Sequence, residues 1–184
     1  MPAPRPLRPV SVATRLALRD GTCVSLRPLA PEDRALVEAA FERMSDRSRF
    51  LRFFSPVPRL TKRTLDQLMA VDQVRHVALA AIHGGDCIGV ARYVVDRDDP
   101  ASADFAVSVI DDYQGRGLGR ALVEAIAEVA AERGVRRLTL DIHPDNRVML
   151  ALTRSLGVRL AVVDGAMSGA LSLPLERRAL ADAA

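Results

Sequence analysis

A run of glycines separated by single residues, DDYQGRGLGR at residues 111–120, is the segment of the sequence best suited to chemistry. Gly115, Gly117 and Gly119 remove side chains at alternate positions, so a ligand could approach the backbone closely. A strand pattern precedes the run and a helical pattern follows it, which places the run at a helix N-terminus. Unpaired N–H groups and the positive end of the helix dipole at such a terminus suit a pyrophosphate.

The residues around these glycines indicate which class of phosphate-containing ligand the loop could bind. Arg116 and Arg120 add positive charge for phosphate oxygens. The spacing is not GxGxxG and no GK[ST] follows, so neither the dinucleotide fingerprint nor the NTP-binding loop is present. A mobile glycine-rich turn without a ligand is the alternative. Three dispersed histidines and two distant cysteines lack metal-ligand spacing, so the sequence predicts no metal site.

Changes of hydrophobic period indicate which elements position this loop. The predicted strands lie at residues 22–27, 76–82, 87–95, 104–110, 135–142, 158–163 and 170–175. The predicted helices begin near residue 30, cover 46–53, follow a Thr61 cap, and cover 118–133 and 146–156. Gly84-Gly85 predicts a hairpin. This order predicts about seven strands flanked by helices in one domain at residues 16–176, with a disordered tail at 1–15 and a frayed C-terminus at 177–184.

Composition excludes several classes of protein. The 184 residues are 49% hydrophobic and 27% charged, a usual globular composition. The net charge of +3 without a basic stripe argues against nucleic-acid binding. No apolar run approaches the roughly 18 to 20 residues of a membrane helix. Cys23 and Cys87 make no disulfide framework, so we expect a reducing, cytoplasmic setting.

The sequence Gln114-Gly115-Arg116-Gly117-Leu118-Gly119 resembles the Q/R-x-x-G-x-G/A signature of the GNAT acyltransferases. The order of elements from about residue 22 to 175 also resembles the core of that family. The resemblance implies an α/β (α+β) fold with a mixed, mostly antiparallel sheet and a splay between the fourth and fifth strands. It further implies acetyl-CoA as co-substrate, with the glycine loop cradling the pyrophosphate.

The same resemblance implies roles for individual residues. The backbone at Val107 and Val109 would bind the pantetheine arm and the thioester carbonyl, and Asn146 would begin the helix that flanks that arm. A glutamate early on the fourth strand is typically the base, and here Asp104 takes that position, one methylene shorter. Asp72 is the second choice for the base. The implied cofactor-binding residues are Val107, Val109, Gln114, Gly115, Arg116, Gly117, Leu118, Gly119, Arg120, Asn146 and Thr153.

Thr153 marks a departure from the family pattern. The family often places a tyrosine seven residues after the asparagine to protonate the leaving thiolate, and Thr153 takes that position here. A dedicated phenolic acid is therefore absent, and solvent could supply the proton. Thr153 could still touch the pantetheine arm.

A narrower resemblance covers residues 27–34, 48–55, 74–79 and 89–93, which are similar to the acetyltransferase domain of bacterial Pat-type protein lysine acetyltransferases. It implies a protein partner bearing a reactive lysine, notably an acyl-CoA synthetase. A small-molecule amine acetyltransferase and a non-catalytic acetyl-CoA sensor stay open as alternatives, as does the oligomeric state, monomer or dimer. His76 matches a histidine of the Pat-like segment, with a structural and a substrate-site role both open.

Lysine usage leads to one further expectation. Lys62 is the only lysine, whereas 25 residues are arginine, as codon bias in a GC-rich genome would produce. An enzyme that acetylates lysines would find almost no amine to modify on itself. We expect little self-acetylation, confined to Lys62 and the N-terminal amine.

Overall fold

The computed structural model describes residues 14–175, and within them an eight-stranded sheet is flanked by five α-helices. The strands are β1 Thr14–Ala17, β2 Cys23–Pro28, β3 His76–His83, β4 Asp86–Val95, β5 Ser102–Val109, β6 Arg137–Ile142, β7 Leu160–Val163 and β8 Ala166–Ser172. The helices are α1 Arg34–Glu42, α2 Asp46–Phe53, α3 Lys62–Met69, α4 Leu118–Glu132 and α5 Arg147–Ser155. The frayed C-terminus expected at 177–184 and most of the expected tail at 1–15 lie outside the described residues.

The sheet has the mixed, mostly antiparallel character that the sequence predicts. Its order is β1-β2-β3-β4-β5-β6-β8-β7, and only β5 and β6 pair in parallel. The strand β1 is an addition to the seven predicted strands. It pairs antiparallel with β2 at the sheet edge, from Thr14 opposite Leu26 to Ala17 opposite Cys23. The four residues of β1 are too few to show a clear alternation of apolar and polar side chains. The sequence alone therefore does not predict this strand, which depends on its pairing with β2.

The last strand differs from its predicted position. The sequence places it at 170–175, whereas β8 is Ala166–Ser172. The tight turn fixes this shift, because Asp164 and Gly165 have φ angles of 47° and 81° and bring Val163 directly opposite Ala166. Register in a hairpin follows the turn, so β8 begins as soon as the turn ends.

Two apolar layers cover the two faces of the sheet. The helix α4 buries Leu118, Leu122 and Ile126 in the larger core, which also contains Ile88 and Tyr93 of β4. The second, smaller core contains residues of α1, α3, β3 and β4, namely Val37, Leu65, Met69, Ala78, Ala80 and Cys87. The sheet is therefore apolar on both faces around β3, which explains the nearly continuous apolar run at 76–82.

The splay that the family resemblance implies is present between β5 and β6. Their pairing covers three residues, from Ser102 opposite Arg137 to Asp104 opposite Thr139. Beyond that point β5 continues to Val109 and β6 to Ile142 without pairing to each other, although β5 stays paired with β4 and β6 with β8. The two strands diverge as a V whose vertex is at Asp104.

Candidate active site

The open side of the V exposes the backbone edge of β5. The Ile110 N–H donates to the Ile88 carbonyl at 3.1 Å, toward β4. Because backbone groups alternate in direction along a strand, those of Val107 and Val109 point to the opposite, open edge. The Val109 carbonyl there accepts from Gln114 Nε2 at 3.0 Å. Both valines expected to bind the pantetheine arm therefore lie on the free edge.

The glycine loop lies at the far end of β5 and leads directly into α4. Gly115 and Gly117 have φ angles of 73° and 92°, a region that side chains disfavour, and Gly117 caps the helix. Leu118 is fully buried, so only its backbone could face a ligand. A Cβ atom on Gly119 would lie 4.0 Å from both Val109 and Leu152. The loop, the open strand edge and α5 thus meet at Gly119.

A hydrogen-bonded clamp holds this loop against the start of α2. The Asp111 carboxylate accepts from the Ser45 Oγ at 2.6 Å, the Ser45 N–H at 2.9 Å and the Ser48 Oγ at 3.0 Å. Burial opposes ionisation of Asp111, yet these hydrogen bonds hold its pKa below the usual range. Gln114 also donates to the Ser48 Oγ, at 3.2 Å. Asp111 is thus a functional residue that was not among the predicted site residues, although the acidic residues directly before the loop are a signal for it.

The two arginines of the loop already have partners within the chain. Arg116 forms an ion pair with Asp20 at 3.0 Å and stacks over the Tyr113 ring at 4.9 Å. Arg120 forms an ion pair with Glu124 at 2.7 Å. Phosphate binding by either guanidinium stays a prediction, and Arg116, half-exposed at the loop surface, is the better placed of the two.

Asp104 lies at the vertex of the V, as the last residue of β5 that pairs with β6. Its side chain lines an open pocket with Asp96, Arg97 and Thr139. Although the side chain reaches solvent, the surrounding protein desolvates the carboxylate and raises its pKa, an effect that the nearby Arg52 cation opposes. A raised pKa suits a general base, because it makes the carboxylate a stronger proton acceptor.

Arg52 of α2 and Arg92 of β4, which are not among the predicted site residues, share a second pocket near Asp104. Arg92 donates to the Leu68 carbonyl at 2.7 Å, and its guanidinium lies 3.4 Å from His76 Nε2. Burial and the Arg52 charge lower the pKa of Arg92 to about 10. Arginine is so frequent in this chain that only the fold distinguishes these two from the others.

The side chains of His76 and Asp72 both form hydrogen bonds with nearby backbone groups. His76 Nδ1 lies 2.8 Å from the Ala70 carbonyl, which assigns the proton to Nδ1 and leaves Nε2 to accept from Arg92. Burial and the Arg92 charge lower the pKa of His76, in favour of the neutral ring. One oxygen of Asp72 accepts three backbone N–H groups at 2.8 Å each, from Val74, Arg75 and His76. Asp72 therefore stabilises a turn, and Asp104 stays the predicted base.

The side chains of Asn146 and Thr153 both form hydrogen bonds with backbone groups of α5. The Asn146 side chain caps the helix by accepting from the Met149 N–H at 3.1 Å. Thr153 is only 3% exposed, and its hydroxyl donates to the Met149 carbonyl at 2.9 Å. The Thr153 hydroxyl is thus turned into its own helix, away from the place where a pantetheine arm would run.

His143, which follows β6, packs against Phe50 and Phe54 at ring-centroid distances of 4.9 and 5.6 Å. These contacts link α2 to the far side of the V. In the part of the chain that the structure describes, no group of three His, Cys, Asp or Glu side chains could hold a metal ion. No helix among those same residues is long and apolar enough to cross a membrane.

Comparisons with known proteins agree with this geometry. Residues 39–158 match the model of the acetyltransferase (GNAT) family. The chain is 32% identical over 145 residues to an acetyltransferase of Pseudomonas aeruginosa, covering 77% of each protein. It is 32% identical over 142 residues to the acetyltransferase Pat of Mycolicibacterium smegmatis, a match that spans 76% of this chain and 42% of that protein.

A solved structure extends the similarity to three dimensions. The crystal structure of the GNAT domain of S. lividans PAT superposes with a TM-score of 0.82 at 34% identity, covering 88% of this chain and 97% of that one. The chain belongs to the GNAT family of acetyltransferases. Members of this family use acetyl-CoA and an acceptor substrate.

Proposed function

We propose that this chain transfers an acetyl group from acetyl-CoA to a lysine amine of another protein, by direct attack in a ternary complex. The observation that carries the proposal is the position of Asp104 at the vertex of the V. That position places a carboxylate of raised pKa beside the open backbone edge of β5. The similarity to Pat and to the PAT domain supports a protein acceptor.

The site offers a place for each part of acetyl-CoA. The backbone of residues 115–120 would hold the pyrophosphate, with Arg116 near its oxygens. The open edge at Val107 and Val109 would bind the pantetheine arm, and α5, capped by Asn146, would flank it. Gln114 acts indirectly, because its side chain holds the end of β5 and the start of α2.

Residues of the chain remove a proton from the acceptor lysine and stabilise the negative charge that develops on the thioester carbonyl oxygen. A protonated lysine, with a reference pKa of about 10.4, cannot attack until it loses a proton. Asp104 receives that proton, through one water where the shorter aspartate does not reach. As the amine bonds to the thioester carbon, backbone N–H groups on the open edge stabilise the charge on the carbonyl oxygen. The carbon–sulfur bond breaks, and the thiolate takes a proton from solvent.

The pocket at Asp104 suits a cationic acceptor. Asp96 and Asp104 line it together with Arg97, Ser102 and Thr139. Its open shape would admit a lysine side chain from the surface of a partner. We propose that the acceptor amine binds in this pocket. We also propose that the protein acts in the cytoplasm, without a membrane or nucleic-acid partner.

Incubation of the chain with acetyl-CoA and an acyl-CoA synthetase tests the proposal. We expect release of free coenzyme A thiol together with one acetyl group on a synthetase lysine, identified by mass spectrometry. The control is a synthetase in which that lysine is replaced by arginine. Thiol release only with a polyamine or amino acid would indicate a small-molecule enzyme. Binding of acetyl-CoA without any transfer would indicate a sensor.

A further inference from the structure

A second pocket lies on the sheet face opposite α4 and encloses about 50 Å³. Its walls are mostly apolar and come from α1, α2, α3, β4 and β5 and from the segments that connect the helices. They include Phe41, Met44, Phe53 and Leu60, with the small side chains of Ala106 and Ser108 beneath. Ala106 and Ser108 flank Val107, where the thioester would lie. The pocket therefore begins next to the expected position of the thioester.

The charged groups of this pocket are unusual for an acetyl site. Arg52 and Arg92 line it, and among residues 14–175 neither forms an ion pair with a carboxylate within 4.0 Å. The acceptors of Arg92, the Leu68 carbonyl and His76 Nε2, are uncharged. Asp104 is the nearby carboxylate that acts on Arg52. Two cations facing one anion leave one positive charge in excess.

We propose that Arg52 and Arg92 bind the terminal carboxylate of a short dicarboxylic acyl group, so that the chain also uses a succinyl thioester as donor, in preference to an uncharged thioester of the same length. This inference rests on the proposed function, since it concerns the donor of the same reaction. Guanidinium groups bind carboxylates through paired, charge-assisted hydrogen bonds. The methyl of an acetyl group, by contrast, offers no negative charge to these two partly desolvated cations, which have one carboxylate, Asp104, between them.

Position and size agree with a four-carbon chain. Arg92 lies directly opposite Ala106 in the pairing of β4 with β5, one residue from Val107. An acyl chain that starts at the open edge thus passes small side chains before it reaches the arginines. A volume of about 50 Å³ has room for roughly three to five water-sized groups at about 10–15 Å³ each, which admits a short acyl chain.

The two pockets then divide the substrates by charge. The acceptor ammonium enters the pocket of Asp96 and Asp104, and the donor carboxylate enters the pocket of Arg52 and Arg92. The amine nitrogen bonds to the thioester carbon, the carbon–sulfur bond breaks, and coenzyme A leaves as the thiol. The amine proton passes to Asp104, and the distal carboxylate is unchanged in the succinyl amide product.

Binding of succinyl-CoA and butyryl-CoA tests the inference, because both acyl groups have four carbons and only one ends in a carboxylate. We expect calorimetry on the full chain to give at least tenfold tighter binding of succinyl-CoA. Arg52→Leu and Arg92→Met should each reduce this ratio by tenfold or more. Arg47→Leu, an exposed residue of the same helix α2, is the control and should keep the ratio of the wild type.

The outcomes separate this inference from the proposed function. Equal affinity for the two thioesters, or a ratio that Arg52→Leu leaves unchanged, would overturn the carboxylate pocket. If Arg92→Met fails to fold, Arg52→Leu on the partly exposed α2 carries the test. Binding and transfer of acetyl-CoA without a succinyl preference would refute this inference alone. Failure to bind any of the three thioesters would refute the proposed function.

Discussion

Substitutions of Gly119 can separate an effect on ligand affinity from an effect on folding stability. A Cβ atom there would meet Val109 and Leu152 at 4.0 Å, an ordinary contact, and the backbone φ is not in the left-handed region. We predict that Gly119→Ala folds with a melting temperature equal to or above that of the wild type, because alanine favours a helix by up to about 1 kcal/mol.

The family signature allows alanine at this position, so Gly119→Ala should bind acetyl-CoA as the wild type does. If the loop cradles a pyrophosphate, the larger side chain of Gly119→Val blocks close approach of the ligand to the backbone. The affinity for acetyl-CoA should then fall more than tenfold, or about 1.4 kcal/mol, in calorimetry. An unchanged affinity would show that the ligand does not approach this loop. Gly117→Val is a less clean variant, because a φ of 92° adds backbone strain to any effect on binding.

The pKa of Asp104 sets the pH dependence expected of the reaction. Burial raises this pKa, so the carboxylate should protonate, and activity fall, at a pH above the roughly 3.9 of an ordinary aspartate. Arg52 lowers the same pKa, so Arg52→Leu should move the acidic limb of kcat/KM to higher pH. Arg47→Leu is again the control. An acidic limb that does not move in Arg52→Leu would argue that another group is the base.

At the scale of elements, a partly buried ion pair between Arg27 and Asp33 connects β2 to the turn before α1. Arg27 contacts both Asp33 oxygens at 2.6 Å, and Asp33 also accepts from the Ala30 N–H at 2.8 Å. The Asp33 side chain is 9% exposed. We predict that Asp33→Asn lowers the free energy of unfolding by about 2 to 3 kcal/mol, because it leaves the Arg27 charge without its partner.

Urea unfolding checks this prediction, with Asp66→Asn as the matched control. The pair of Asp66 with Arg34 is exposed, so its loss should change stability by at most about 0.5 kcal/mol. The hydrogen bond from Arg27 holds the pKa of Asp33 below its unfolded value. Its contribution is thus present at neutral pH and is lost as the pH falls through the lowered pKa. A difference from wild type that stays constant down to pH 3 would contradict this account.

Elements with strong local signals could be predicted from the sequence, and those that depend on a partner could not. The helix α2 has the predicted bounds because Ser45 caps its start, and the Thr61 cap begins α3 where expected. The strand β1 depends on pairing with β2, so its four residues carried no sufficient signal. The shared pocket of Arg52 and Arg92 could not be predicted for the same reason, because the two side chains meet only when α2 lies over β4. The loop at 111–120 was visible because glycines mark it directly.

At the scale of the whole molecule, the chain presents many cations and almost no amines. Lys62 is the first residue of α3 and is exposed. We predict that incubation with acetyl-CoA alone adds at most one side-chain acetyl group, at Lys62, as measured by intact mass and peptide mapping. Arginine side chains do not act as acyl acceptors here because they stay protonated.

A variant with five exposed arginines changed to lysine tests whether this composition matters. We expect it to gain acetyl groups on the new lysines during the same incubation, while its acetyl-CoA affinity is retained. If it gains none while a protein acceptor is still modified, self-acetylation is no hazard and the low lysine content has no such consequence.

The central claim is that Asp104 is the base of an acetyl transfer at the vertex of the V, and one comparison tests it most directly. Turnover and acetyl-CoA affinity should be measured for Asp104→Asn and Asp104→Glu beside the wild type. We predict that Asp104→Asn binds acetyl-CoA as the wild type does but turns over roughly a hundredfold more slowly, whereas Asp104→Glu retains activity. Wild-type turnover of Asp104→Asn from pH 6 to 9 would contradict the account.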